Sequence, residues 1–249
     1  VIIGAGSAGC ILANRLTADG KHTVCLLEAG PRDWNPYLHI PAGFIKTLTN
    51  PNVNWLYEAE PSHWTGGRAI GVPRGKTLGG SSSINGHIYN RGQRMDFDNW
   101  AQRGNQGWGY ADVLPYFRRC ERRIGAGDDT FRGREGNLAV TDLNYSHPLC
   151  EAFMEGAGQL GIPRNPDYNG ANQLGISYVQ RTTHKGRRVS TARAFLNPAK
   201  SRSNLTIRTG AHATRILLDG KRATGVEYAK GGRGGKLVQV HADTEVILS

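Results

Sequence analysis

The sequence predicts an α/β protein on three observations: a β-α-β pattern at its start, a second glycine-dense cluster near residue 80, and short strands in succession after residue 200. Val1 to Ile3 read as a buried strand, Ala8 to Thr17 as a helix with Ile11, Leu12 and Leu16 on one face, and Thr23 to Leu27 as a second strand. Between the first strand and the helix stand Gly4, Gly6 and Gly9, spaced G-x-G-x-x-G, with Ser7 and Ala8 inside the same turn. A dinucleotide pyrophosphate rests on backbone N–H groups at such a helix start, and side chains on those glycines would block its approach. Glu28 ends the second strand roughly 20 residues further on, where a carboxylate accepts hydrogen bonds from both ribose hydroxyls and repels a 2′-phosphate. The opening is therefore read as a Rossmann-like dinucleotide-binding unit, with NADP disfavoured.

From Pro31 to Thr77 the chain has little periodicity and much Gly, Pro, Asn and Trp, the mark of a long surface excursion that serves a site. Helices are expected around Met95 to Arg103 and over Tyr110 to Arg123, the second with Val113, Leu114 and Phe117 apolar and arginines opposite. A loop at Gly125 to Gly136, a strand at Asn137 to Thr141 and a helix at Pro148 to Leu160 follow, then a helix from Ser190 or Thr191 that stops at Pro198. Leu205 to Arg208, His212 to Leu218, Ala223 to Ala229, Lys236 to His241 and Glu245 to Leu248 read as strands. Asp219-Gly220 and the Gly231 to Gly235 run supply positive-φ residues for the turns of a β-meander.

With 249 residues the chain is long enough for one large domain or a domain and a half. Lys and Arg exceed Asp and Glu by 31 to 20, giving +11, with clusters at Arg118, Arg119, Arg122, Arg123 and at Lys185, Arg187, Arg188. No aromatics interleave those clusters and Glu121 interrupts the first, so they are read as solvated surface or as attraction for an anionic cofactor, with no nucleic-acid partner. Cys10, Cys25, Cys120 and Cys150 form no C-x-x-C pair, and the histidines make no metal-ligand pattern, so no metal is expected. No apolar run approaches the ~20 residues of a spanning helix. A cytoplasmic location is expected, with membrane association left open, and both ends of the chain read as interrupted strands.

The second cluster runs Gly75-Lys76-Thr77-Leu78-Gly79-Gly80-Ser81-Ser82-Ser83-Ile84-Asn85-Gly86-His87-Ile88-Tyr89. With Gly92 and Asp98 beyond it, this segment resembles the first signature of the glucose-methanol-choline oxidoreductase family without departure. Leu26-Leu27-Glu28-Ala29-Gly30, Asn54-Trp55, Arg74-Gly75-Lys76 and Arg188-Val189-Ser190-Thr191-Ala192-Arg193 continue the likeness over nearly the whole chain, and it is greatest to choline dehydrogenases and related bacterial alcohol dehydrogenases.

The resemblance implies a Rossmann-like FAD-binding domain with a β-meander and the start of a substrate-binding α+β domain: residues 1–135 and 183–249 for the flavin domain, 136–182 for the other. It also implies FAD contacts at Ala29, Arg74, Thr77, Gly79, Gly80, Ser81, Asn85, Gly86, His87, Ile88 and Ala213. Some members attach FAD through a His just before the signature Asn; Ile84 stands there, so the FAD is expected to be non-covalent. His87 is expected to line the flavin pocket rather than act as a base. The implied reaction is oxidation of a small-molecule alcohol, choline or another primary alcohol, to an aldehyde. The family's catalytic His lies in a later half, so no catalytic residue is expected within this chain, and neither electron acceptor nor oligomeric state is specified. Two other readings stay open: an NAD-linked dehydrogenase, which would have no use for residues 75 to 98, and a nucleotide-binding module without activity.

Overall fold

Strand β1 (Ile2–Ile3) is an inner strand of a four-stranded parallel sheet, between Ile247–Leu248 on one side and β2 (Val24–Leu27) on the other, with Leu205–Arg208 beyond β2. Ile2 pairs with both Ile247 and Leu26, and Val24 with Leu205. The two-residue period of the strands divides their side chains between two cores. Ile2, Val24, Leu26 and Leu205 pack with Cys10, Ala13, Ala192, Leu196 and Ala199. Ile3, Cys25 and Leu27 face the other way, onto Ala211, Val226 and Tyr228 of a three-stranded antiparallel meander, Ala211–Asp219, Arg222–Lys230 and Lys236–His241. These layers occupy one compact unit, residues 1–86 with 186–249, and residues 87–185 form a second in the computed structural model, which describes all 249 residues.

Helix α1 (Ser7–Leu16) buries Gly9, Cys10, Ala13 and Asn14 most deeply. Leu12 and Leu16, expected to lead its core face, are only partly buried beside that core. Small residues win the contact because the helix lies too close for larger ones: a Cβ on Gly9 would sit 1.9 Å from the Gly4 carbonyl oxygen. Asn14 Nδ2 donates to the Phe195 carbonyl at 2.7 Å, tying α1 to a π-helical turn at Ala192–Leu196. The helix expected to stop at Pro198 runs one residue past it, through Asn197–Ala199.

The excursion from 31 to 77 holds 3₁₀ turns at Pro36–Leu38 and Pro41–Gly43, a short helix Phe44–Thr47, and a mostly exposed hairpin of Tyr57–Ala59 and Ile70–Val72. The meander turns match their residues: Gly220 has φ +57°, and Gly231, Gly232 and Gly234 are all left-handed.

In the second unit the helix expected to reach Arg123 ends at Cys120, and Glu121–Ile124 becomes a strand parallel to Leu138–Thr141. The cause is Glu121. Its carboxylate is fully buried and accepts from the Arg91 and Arg132 guanidiniums and from the Gly133 N–H at 3.0 Å. Arg132 also pairs with Asp167, and Arg123 with Asp142 at 2.7 Å. The basic cluster read as solvated surface is thus partly interior: Arg118, Arg119 and Arg122 are exposed, Arg123 is buried. This network joins residues 91, 121, 132 and 167, so 87–135, expected with the flavin domain, packs with 136–185.

A candidate dinucleotide site

Two glycine bends meet at the carboxyl end of β1. The first is held by Glu28, which accepts from Ala5 N at 2.9 Å through Oε2 and from Gly30 N at 2.8 Å through Oε1. Glu28 is not the solvated strand-end carboxylate that an isolated reading would give, since only 6% of it is exposed. Burial pushes its carboxyl above the ordinary value, against the opposing pull of the Gly30 and Ala5 amides and the Lys76 charge. Each oxygen keeps lone-pair capacity for a further donor.

The second bend docks on the first through main chain. Gly79 N donates to Ala5 O at 2.7 Å, Thr77 Oγ1 to Pro31 O at 3.0 Å, and a Cβ on Gly80 would stand 2.7 Å from Gly6 Cα. Gly79 and Gly80 both have positive φ, +86° and +51°, which lets the loop reverse at that contact. Gly30 is equally confined, its Cβ position 1.9 Å from Lys76 O.

Gly6 is the exception. A Cβ there meets nothing within 4 Å, and its φ of −75° is open to any residue. Here the glycine serves no packing need, which is the pattern expected where a ligand approaches the backbone. The α1 start supports it: Gly6 offers no side-chain cap, the first turn has no acid, and Ser7 and Ala8 are exposed. The first-turn N–H groups and the positive end of the helix dipole suit a pyrophosphate.

Ser81 Oγ accepts from Gly75 N at 3.1 Å, closing the loop from within. Ser82 Oγ lies 2.9 Å from Thr191 Oγ1 and accepts from Thr191 N at 3.0 Å. Asn85 is exposed, and its Oδ1 accepts from Arg188 Nη1 at 2.7 Å. Ile84, just before Asn85, is buried with Leu38 and Val53 and has no nucleophilic atom to offer. Ala29 is half-buried beside Glu28, and Ala213 lies two residues past Ala211, whose N–H donates to Glu28 O at 2.8 Å.

The Arg74 side chain is exposed and turns back to the Pro73 carbonyl at 2.8 Å. Gly86 is exposed and ends the first unit. His87 and Ile88 begin the second: His87 is buried with φ +51° and its carbonyl accepts from Thr182 N at 2.8 Å, while Ile88 is exposed. Two residues escaped the sequence reading. Arg188 was grouped with surface charge but is 1% exposed, and Cys10 donates its S–H to Ala5 O at 3.2 Å, burial pushing that thiol to about 12. The signal for Arg188 was the apolar and small run directly after it, Val189 to Ala192.

Sheet, glycine bends and buried acid define a dinucleotide-binding α/β protein of the Rossmann type. The whole chain, residues 1–249, matches the family described as GMC oxidoreductase, and the protein belongs to that family. It is 45% identical to the oxygen-dependent choline dehydrogenase of Rhizobium rhizogenes over 249 residues, covering 100% of this chain and 44% of that protein. It is 43% identical to an alcohol dehydrogenase (acceptor) of Pseudomonas putida, with 100% and 45% covered. The mouse mitochondrial choline dehydrogenase is also 43% identical, with 100% and 42% covered. Among solved structures, pyridoxine 4-oxidase from Mesorbium loti superposes with a TM-score of 0.92 at 34% identity, covering 99% of this chain and 48% of that one. The chain thus spans less than half the length of these relatives. No helix is long and apolar enough to cross a membrane.

Proposed function

We propose that this chain carries the FAD-binding part of an oxidoreductase that acts on the CH–OH group of an alcohol, choline or another primary alcohol, to give an aldehyde. The observation that carries the proposal is the interlock of the two glycine bends, with Gly6 alone left open. In this reading the N–H groups of Ser7, Ala8 and Gly9 bind the pyrophosphate and the Glu28 carboxylate accepts the ribose hydroxyls. Ala29 and Ala213 border the adenosine end. Thr77, Gly79, Gly80 and Ser81 bring the backbone against the pyrophosphate and flavin without adding charge, and Asn85 presents its amide to the isoalloxazine. Held there, the group would supply a hydride acceptor for the alcohol carbon.

Ile84 makes the attachment non-covalent. Residues 87–185 form the beginning of the substrate-binding domain, with His87 and Ile88 at its edge. The names of the choline and alcohol dehydrogenase relatives support the substrate class. A cytoplasmic location goes with four cysteines that form no disulfide. The test is the visible spectrum of the purified intact protein, followed by turnover with choline and simple primary alcohols. Bound flavin with substrate-dependent bleaching supports the proposal; a colourless protein that takes up NAD and refuses FAD refutes it.

A further inference from the structure

Four arginines are buried in this molecule, and three of them are paired: Arg91 with Glu121, Arg132 with Glu121 and Asp167, and Arg123 with Asp142. Arg188, 1% exposed, is the fourth. Its Nη1 donates to Ser82 O at 3.3 Å and to Asn85 Oδ1 at 2.7 Å, both neutral acceptors, and Nε and Nη2 find no acceptor in the protein. No acid offsets the cost of burial, which alone pulls the guanidinium down to about 10, so the group keeps its charge at neutral pH. A buried charge without a counter-ion is expensive for a fold to carry.

Docking of the segment does not require that charge. Arg188 N donates to His39 O at 2.9 Å, Thr191 N to Ser82 Oγ at 3.0 Å, and Ser82 Oγ lies 2.9 Å from Thr191 Oγ1, so neutral groups already tie residues 188–191 to the 79–85 loop. The charge also lies one contact below the surface, because Asn85, which accepts from Nη1, is exposed. In the protein interior it is screened far less than it would be in water. We propose that Arg188 is the internal counter-charge for the cofactor held on the 79–85 loop: its uncompensated positive charge stabilises negative charge on FAD from beneath the loop, without touching it. The inference deepens the flavin reading and rests on it for the identity of the group. FAD offers two sources of that negative charge. Its diphosphate carries a fixed one, and its ring gains one on taking hydride from the alcohol carbon, the hydroxyl proton leaving separately.

The test uses the intact protein with two neutral replacements, Arg188→Met and Arg188→Gln, and Arg188→Lys, which keeps the charge. In the ligand-free protein the neutral variants should melt no lower than wild type, and Arg188→Met about 2–4 °C higher, because an uncompensated charge has left the interior. A lower melting temperature in both, or failure of both to fold, makes the guanidinium a structural tie and overturns the proposal. Titration with FAD and the reduction potential of the bound flavin then read the charge itself. Loss of one charge should weaken binding about 10-fold in both neutral variants, with Arg188→Lys within about threefold of wild type. Equal weakening of oxidised and reduced FAD, with the potential unchanged, assigns the effect to the diphosphate. Selective weakening of the reduced form, seen as a potential about 30 mV lower for a 10-fold change, assigns it to the ring. Wild-type affinity and potential in both neutral variants, or an Arg188→Lys protein as impaired as Arg188→Met, overturn the proposal and leave the flavin reading standing. A wild-type protein that refuses FAD overturns that reading instead.

Discussion

Gly6 and Gly9 belong to one fingerprint, yet the structure confines only Gly9, and a pair of substitutions separates their proposed roles. A Cβ at Gly9 would stand 1.9 Å from Gly4 O and 2.8 Å from Ser249 Oγ, so Gly9→Ala must push α1 off β1. Overpacking of this kind costs about 1–3 kcal/mol, and contact with a backbone oxygen at that distance belongs at the upper end. At about 2–4 °C per kcal/mol for a chain of this size, Gly9→Ala should lower the melting temperature by roughly 6–12 °C. Gly6→Val meets nothing within 4 Å and needs no unusual φ, so the ligand-free protein should lose at most about 1 kcal/mol, from the poorer N-cap. Its isopropyl group would instead stand over the first-turn N–H groups. Losing two charge-assisted bonds to phosphate, about 1.5–3 kcal/mol each, should weaken FAD by a factor of 100 or more. Melting curves without ligand and flavin content after gel filtration check the two arms. A folded Gly6→Val protein that keeps its flavin would refute the assignment of the open face to the pyrophosphate.

Glu28→Gln should uncouple stability from pH in the ligand-free protein. An acid whose folded value is raised binds more protons folded than unfolded, so Glu28 adds stability that is complete below its ordinary value of 4.5 and is lost as pH rises through the raised one. Melting temperatures of wild type minus Glu28→Gln should therefore fall across that window, and a flat difference would contradict the burial of the carboxylate. Ribose hydroxyls need the ionised form, so flavin release on acidification should begin above the pH of an ordinary glutamate, as fluorescence of released FAD would report. Glu121→Ala should destabilise by about 3–5 kcal/mol, because it leaves the Arg91 and Arg132 guanidiniums buried without a shared partner. Equilibrium denaturation measures that loss, and a change under 1 kcal/mol would mean water replaces the carboxylate without penalty.

What the sequence made legible was local. Glycine spacing, the acid at the end of β2, the meander turns and the strand at Lys236–His241 all report on backbone conformation or short-range periodicity, which a chain displays one residue after another. The helix end at Cys120 was illegible because a long-range ion pair decides it: Arg132 lies in a stretch that reads as loop, and nothing near Glu121 announces it. Arg188 was hidden for the same reason, since Asn85 lies about a hundred residues earlier along the chain. The packing face of α1 was misjudged through size rather than polarity. Leu12 and Leu16 carry the hydrophobic signal, but the crossing distance admits only Gly9, Cys10 and Ala13. The excursion at 31–77 showed only that it was irregular.

The two bends stabilise each other before any ligand arrives, and that bears on how the site would work. Ala5 is the hinge of the arrangement: its N–H goes to Glu28, its carbonyl receives Gly79 N and the Cys10 S–H, and its side chain is wholly buried. The glycine fingerprint is thereby pinned from three directions by groups that a phosphate would not displace. Glu28 sits at the centre of the same bonding, so its carboxylate shapes the turn and, in the proposed reading, would also accept the ribose hydroxyls. A ligand binding there would find its donors already aimed, and the entropy of ordering the loop would be spent in folding rather than in binding. The corollary is a coupling: weakening Glu28 should loosen the Gly79 contact as well. Glu28→Ala is therefore expected to lose affinity by more than its ribose hydrogen bonds alone, and to show it as faster amide exchange at Gly79 in the ligand-free protein.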